Sequence, residues 1–405
     1  MGGQFPRLRQ FLYLPKNAWI LTSTSAIWSI GSYMANPYQS VYWASLGASP
    51  FAIGLLVAYG TGVTVIALLL GGYIADVWGR RKVVILFSWV SVASAFIYCV
   101  IGSPVLIVLP LSLASVSNFY GPAFNSIMFD SIEPGDRIRG FAVFTAINTT
   151  PSVFAPTLGG ILVNLFGVTP GLRLCYLASG LFGVLGIAIR SLKLTETYAG
   201  DSVGMKKPPA SHLRDSLVEG VRAIRESSAV VKRLLLYVTL AGIGTGLTSP
   251  FVSIYVVNYL GISALSYSVV VDLAGVATVV LLLMVVFLIR RLGSKNGILL
   301  ASVAAPVSNV MFVQAKTTSE LMGWGVTGAV STALQSPSLS TMQAEAIEQR
   351  NRGKVLAMFS ILPTIVSLPS QVLAGFLYST ASPVVPFLVS LLPFALAALV
   401  LYTIR

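Results

Sequence analysis

One acid in this chain sits where an acid is expensive. Asp272 lies about ten residues into a long apolar run, roughly 15 Å below the surface if the run is a helix rising 1.5 Å per residue. An ionisable group at that depth is by default a functional one, because the hydrocarbon of a membrane penalises its charged form. Desolvation raises a carboxyl pKa, which suits reversible protonation near neutral pH. The alternative is a buried acid held by Ser268 or by backbone. A second concentration of charge is "GGYIADVWGRRKV" (71–83), where Asp76, Arg80, Arg81 and Lys82 fall together between two apolar runs. A third feature is a polar and aromatic stripe: Ser25, Trp28, Ser32, Asn36, Gln39 and Trp43. At 100° per residue the six fall within about 80° of one helix face. Amides and indoles gathered on one face suit a cavity wall or interhelical hydrogen bonds, not lipid.

Similar pairs and triplets recur further on. Asn118 and Asn125 share a face, as do Thr245, Thr248 and Ser249, and Ser331, Gln335 and Ser338. The set is amphipathic and almost uncharged, which suits a neutral or lipophilic solute better than a phosphate or dicarboxylate. Arg173 is the one cation to consider, and it lies near the end of its run.

The elements that position these residues follow from composition. Of 405 residues, 55% are hydrophobic and 10% charged. Apolar stretches of eighteen or more residues recur along the chain, each long enough to cross a bilayer as a helix. They lack the alternation of membrane strands. Twelve spans are expected, near 17–45, 50–75, 81–102, 104–130, 138–166, 169–190, 231–258, 262–289, 296–315, 321–345, 354–379 and 383–403. Of 26 Lys and Arg residues, only Arg173 and Lys316 fall on one side of this map. The positive-inside rule then places both termini and the central segment in the cytoplasm, in a multi-pass protein of the cell membrane. Topology also accounts for the net charge of +13, so no nucleic-acid partner is expected. Cys99 and Cys175 fall inside spans and read as small core residues.

The polar segment 191–230 reads as a linker. Leu213, Leu217, Val221 and Ile224 give it a helix with one apolar face, expected at the membrane surface. It separates two halves, 1–190 and 231–405, that match at an offset of about 214. Pro37, Ser40 and Tyr42 pair with Pro250, Ser253 and Tyr255; Gly79 pairs with Gly293; "DRIRG" (136–140) pairs with "QRNRG" (349–353). The expectation is an all-α polytopic membrane protein of twelve transmembrane helices in two pseudo-symmetric six-helix bundles.

At this point the chain resembles the major facilitator superfamily of secondary transporters. The resemblance rests on the duplicated six-span unit, the basic central linker and the loop motif Gly72, Asp76, Gly79, Arg80, Arg81. Val77 stands where the family often has a basic residue. The resemblance implies that Asp76 packs against the start of the eleventh span, whose N-terminal dipole favours an anion. Gly72 would allow close approach there, and Asp130 is the expected partner of Arg80 or Arg81. "APTLGG" (155–160) resembles an element of the family's antiporters, whereas Ser117 replaces the Arg they often carry before Gly121. The implied function is alternating-access transport, with proton-coupled export of a small neutral or lipophilic solute as the favoured reading. Uptake of a neutral solute such as a sugar, by symport or uniport, stays open. A membrane sensor would need a signalling domain, for which the short termini leave no room. No metal-ligand cluster, phosphate loop or nucleophile motif is visible, so neither an enzyme nor a cofactor is expected. The expected partners are a small-molecule substrate, protons and the lipid bilayer, with the chain acting as a monomer.

Overall fold

The computed structural model describes residues 13–197 and 209–404. Arg7, Arg9, Lys206, Lys207 and Arg405, five of the Lys and Arg residues that the expected topology places in the cytoplasm, lie outside them, as do the side chains of His212, Leu213, Leu217 and Arg290. The described chain is helical. The helices are α1 Lys16–Ala35, α2 Gln39–Ser45, α3 Pro50–Trp78, α4 Arg80–Val100, α5 Val108–Ser117, α6 Tyr120–Ser131, α7 Arg137–Thr149, α8 Ala155–Phe166 and α9 Val168–Lys193. After the linker come α10 Pro209–Glu226, α11 Ala229–Thr248, α12 Val252–Ile254, α13 Ala264–Leu292, α14 Ser294–Gln314, α15 Thr318–Ala346, α16 Arg352–Thr380 and α17 Val385–Tyr402.

Among the described residues, nine helices are long and apolar enough to cross a membrane. The expected first, fifth and tenth spans are the ones missing from that set. Their physical reason is shared: they hold polar residues or breaks. The first carries Ser, Thr and Asn along α1, the tenth carries Ser, Thr and Gln along α15, and the fifth is divided into α7 and α8.

Four expected spans are divided: the first at Asn36–Tyr38, the seventh after Thr248, and the fourth and fifth at prolines. In the fourth, Pro122 cannot donate to the Asn118 carbonyl, which takes the Gly121 N–H at 3.0 Å instead. The Asn118 amide then donates to the carbonyls of Ala114 and Ser115, both at 3.1 Å, so α5 ends and α6 begins there. In the fifth, Pro151 removes the bond owed to Ile147, and Thr149 and Thr150 hydroxyls donate to the carbonyls of Thr145 (2.6 Å) and Ala146 (2.8 Å). A short tight turn over Thr150–Val153 joins α7 to α8.

The repeat is visible in the backbone. Gly47 and Gly261 have φ of 94° and 69°, and Gly79 and Gly293 have 89° and 78°. Each pair occupies matching positions, and each needs the left-handed region that glycine enters without a Cβ clash.

The chain divides into two compact units, residues 1–36 with 66–211, and residues 37–65 with 212–405. This differs from the expected boundaries of 1–190, 191–230 and 231–405 in two respects. First, the segment 37–65 packs within the second unit. Its Tyr38 hydroxyl donates to the Ala264 carbonyl at 2.9 Å, and a Cβ at Gly54 would lie 2.5 Å from the Gln371 carbonyl oxygen. Second, the linker helix α10 is not a free surface helix. Ala223 is buried in the second unit's core and Ile224 packs against it, while Val221 is exposed. Lys354 pairs with Glu219 at 3.0 Å, and Gly220 leaves space for Met358. Helix α10 therefore docks through Gly220, Ala223 and Ile224, the last a member of its expected apolar face.

Candidate functional site

The first unit encloses a cavity of about 600 Å³. Helix α1 contributes Ser25, Trp28, Ser29 and Ser32, with Asn36 just beyond its end. The break between α5 and α6 contributes Asn118, and α6 adds Phe124 and Asn125. Helix α7 adds Phe144 and Asn148, beside the second break. The broken spans thus place amides, which also cap freed carbonyls, at the cavity wall.

The second unit has its own cavity, of about 420 Å³. Thr245, Thr248 and Ser249 of the α11 end line it, with Ser331 and Gln335 of α15, Asn309 of α14 and Trp324. Its described lining carries no charged side chain. Of the stripe predicted from sequence, Trp28, Ser32 and Asn36 line the first cavity. Gln39 lines neither, because it falls after the turn at Asn36–Tyr38, in the part of the chain that joins the second unit. Asn118 and Asn125 line the first cavity together; Ser338 is buried outside both.

One lining residue was missed by sequence reasoning, and it changes the electrostatics. Arg190, expected as a flanking topological charge, is 2% exposed and lines the first cavity. Its Nε donates to the Thr24 hydroxyl at 2.8 Å, and its two terminal nitrogens donate to Ser88 (3.1 Å) and Ser25 (2.7 Å). Its guanidinium carbon lies 5.6 Å from the Phe124 ring centre and 6.0 Å from that of Trp28. The expected candidate cation, Arg173, instead donates to the Ile101 carbonyl at 2.7 Å and does not line the cavity. The expectation of a cavity without a cation is corrected accordingly. No local signal marked it, because the hydroxyls that hold it, on α1 and α4, are far away in sequence.

The charge cluster at 71–83 is built as follows. Asp76 is exposed near the end of α3. Arg80 pairs with Asp130. Arg81 binds the end of α9, donating from Nε to the Leu194 carbonyl and from a terminal nitrogen to that of Ser191, both at 2.7 Å. A cation there also meets the negative end of the α9 dipole. Glu196 accepts from the Arg81 backbone N–H at 3.0 Å, beside Gly79. A Cβ at Gly71 would meet the Phe119 carbonyl oxygen at 2.7 Å, whereas one at Gly72 would meet only Pro122 Cβ, at 3.9 Å.

Asp272 is the ninth residue of α13 and is half-buried. It lies outside the described lining of the second cavity.

Many long apolar helices, a repeated half and polar cavities inside the units define a polytopic membrane transporter. Comparison with known proteins gives the family: the Major Facilitator Superfamily model matches residues 21–240 and 234–405. The chain belongs to that superfamily of non-enzymatic, multi-pass transporters, whose fold implies twelve spans. It is similar to two uncharacterized MFS-type transporters. MJ1560 of Methanocaldococcus jannaschii is 22% identical over 185 residues, 45% of this chain and 47% of its own length. YqjV of Bacillus subtilis is 25% identical over 175 residues, 42% of each chain. These alignments span less than half of each relative. Among solved structures, the nucleoside transporter NupG matches with a TM-score of 0.75 at 14% identity, covering 94% of this chain and 99% of that one. A peptide transporter of the POT type matches with a TM-score of 0.75 at 16% identity, covering 96% and 94%. At such identities these likenesses define the fold alone.

Proposed function

We propose that the chain moves a small, largely lipophilic organic solute by alternating access and exports it in exchange for protons. The observation that carries this reading is the cavity of about 600 Å³ in the first unit, walled by amides, hydroxyls, aromatic rings and the single guanidinium of Arg190. That volume and mixture suit one drug-sized ligand, with rings for its body and a few polar groups to orient it. The strongly one-sided distribution of Lys and Arg supports cytoplasmic termini.

Asp272 is the residue we assign to proton coupling. Its place nine residues into α13 and its partial burial support that assignment, since an ionisable group inside a span is by default a functional one. Asp76 is assigned to a latch with Gly72, Gly79, Arg80, Arg81 and Asp130, strengthening one access state. The decisive experiment uses the purified chain in proteoliposomes with an imposed pH gradient. Solute flux should follow the gradient in the wild type and lose that dependence in Asp272→Asn. Equal sensitivity in both proteins would remove Asp272 from the mechanism; insensitivity in the wild type would remove proton coupling. For the latch, cysteine labelling of Asp76→Asn should report a shift towards the inward-open state, and an unchanged pattern counts against it.

A further inference from the structure

Arg190 is a cation that the first unit buries without an anion. The described residues of that unit, 13–36, 66–197 and 209–211, carry five carboxylates: Asp76, Asp130, Glu133, Asp136 and Glu196. All five are exposed. Asp130 is taken by Arg80, Asp136 pairs with Arg139 at 2.8 Å, and Glu196 accepts from Arg81. None reaches Arg190, whose partners are three neutral hydroxyls. Thr24 is oriented for this, since its own hydroxyl proton goes to the Ile20 carbonyl at 2.6 Å, leaving a lone pair for the guanidinium.

An Arg near a helix end ordinarily snorkels to the membrane surface. Arg190 stands three residues before the end of α9 and turns inward instead. Hydroxyl dipoles offset only part of the cost of burying a charge. Three of the five N–H donors of an arginine fork are used, which leaves two for a ligand. The rest of the described cavity lining is neutral: amides, hydroxyls and the rings of Trp28, Tyr120, Phe124 and Phe144.

We infer that the first cavity binds an organic monoanion, a carboxylate or sulfonate seated on Arg190 with its apolar body against these rings. One fork matches one planar or trigonal anionic group. A dianion would keep an unbalanced charge, and a cationic solute would meet an unscreened guanidinium. The inference deepens the transport reading by naming its substrate class, and it rests on that reading for movement but not for binding.

The test uses the full-length protein in detergent, with affinities taken from ligand-induced thermal stabilisation. The probes are benzenesulfonate, benzenesulfonamide, benzyltrimethylammonium and inorganic phosphate. Benzenesulfonate should bind at least about tenfold more tightly than the sulfonamide, as expected for a charge-assisted pair, and more tightly than phosphate; the ammonium should not bind. Arg190→Gln should bring the sulfonate down to the level of the sulfonamide. Asn125→Asp, which adds a carboxylate to the same wall, provides an independent variant should Arg190→Gln fail to fold, and it should also erase the preference. Equal binding of sulfonate and sulfonamide by the wild type overturns the inference, as does phosphate binding as tightly as the sulfonate. Flux of radiolabelled probes through proteoliposomes separates the two claims. Sulfonate that binds through Arg190 but never crosses supports the anion site and defeats transport. Sulfonamide that crosses as fast as sulfonate, and unchanged in Arg190→Gln, supports transport and defeats the anion site.

Discussion

The two cavities grow from duplicated sequence and differ in charge and in backbone. The first holds a buried guanidinium and borders two broken spans, α5/α6 and α7/α8. The second has a described lining without charge, and the matching spans α15 and α16 run for 29 residues each, with Pro337, Pro363 and Pro369 inside them. Neighbouring residues follow the difference. At the break, the Phe119 carbonyl projects towards α3, so the facing residue is Gly71, which has no Cβ to clash with it. Gly71 corresponds in the repeat to Val285, which is 5% exposed and packs with Leu334 and Val330 of unbroken α15. Duplication therefore preserves topology, while the divisions of the fourth and fifth spans and a guanidinium at the cavity wall have no counterpart in α15, α16 and the described lining of the second cavity. If solute charge is read in the first cavity, as inferred above, the second is left with amide, hydroxyl and ring contacts.

The largest effect should come from the charge. Arg190→Gln should lower benzenesulfonate affinity by about tenfold to a hundredfold, the range for losing a charged hydrogen-bond partner. Gln335→Ala in the second cavity should leave the ratio of sulfonate to sulfonamide affinity unchanged. Loss of the preference in both variants would mean that the cavities do not divide the work, and the comparison would fail.

Backbone shape gives a cost in both halves, from opposite changes in volume. Gly71→Ala adds one methyl group against a carbonyl and should cost about 1–3 kcal/mol, as overpacking does. Val285→Ala removes methyl groups from a filled core and should cost about 1–2 kcal/mol through the space left behind. Gly72→Ala, with only a 3.9 Å neighbour, should stay within about 0.5 kcal/mol of the wild type. Thermal unfolding in detergent checks all three. A tolerated Gly71→Ala would show that the α5/α6 break is not rigid.

These contrasts also separate what could be read from the sequence from what could not. The α1 stripe and the Asn118 and Asn125 pair were legible because a wall residue repeats with the period of the helix. The repeat was legible because turn glycines with positive φ recur at a fixed offset. Arg190 was not, since an Arg at the end of an apolar run has the same local pattern whether it faces the headgroups or turns inward. Only hydroxyls far away in sequence, on α1 and α4, decide between them. The breaks were underestimated because a proline can lie inside a continuous helix, as in α16, or divide a span, as at Pro151, depending on which side chains cap the freed carbonyls. The placement of 37–65 in the second unit rests on Tyr38 and Gly54 meeting residues more than 200 positions away, which no local pattern encodes.

The smallest effect should come from the Arg80–Asp130 ion pair, which the repeat does not copy. Arg80 and Asp130 fall opposite Ser294 and Gln343 in the second half. Their side chains are 17% and 39% exposed, so solvent and salt screen the pair. Asp130→Asn should therefore cost about 1 kcal/mol or less, with the difference from wild type shrinking as salt is raised. Arg81 offers the contrast within the same motif: it holds two carbonyls at the end of α9, contacts that salt does not screen in the same way. If Asp130→Asn proved as costly as Gly71→Ala and insensitive to salt, the pair would have to be buried in the working protein by a closure around it. The asymmetry between the halves would then include the charged loop as well as the cavity wall.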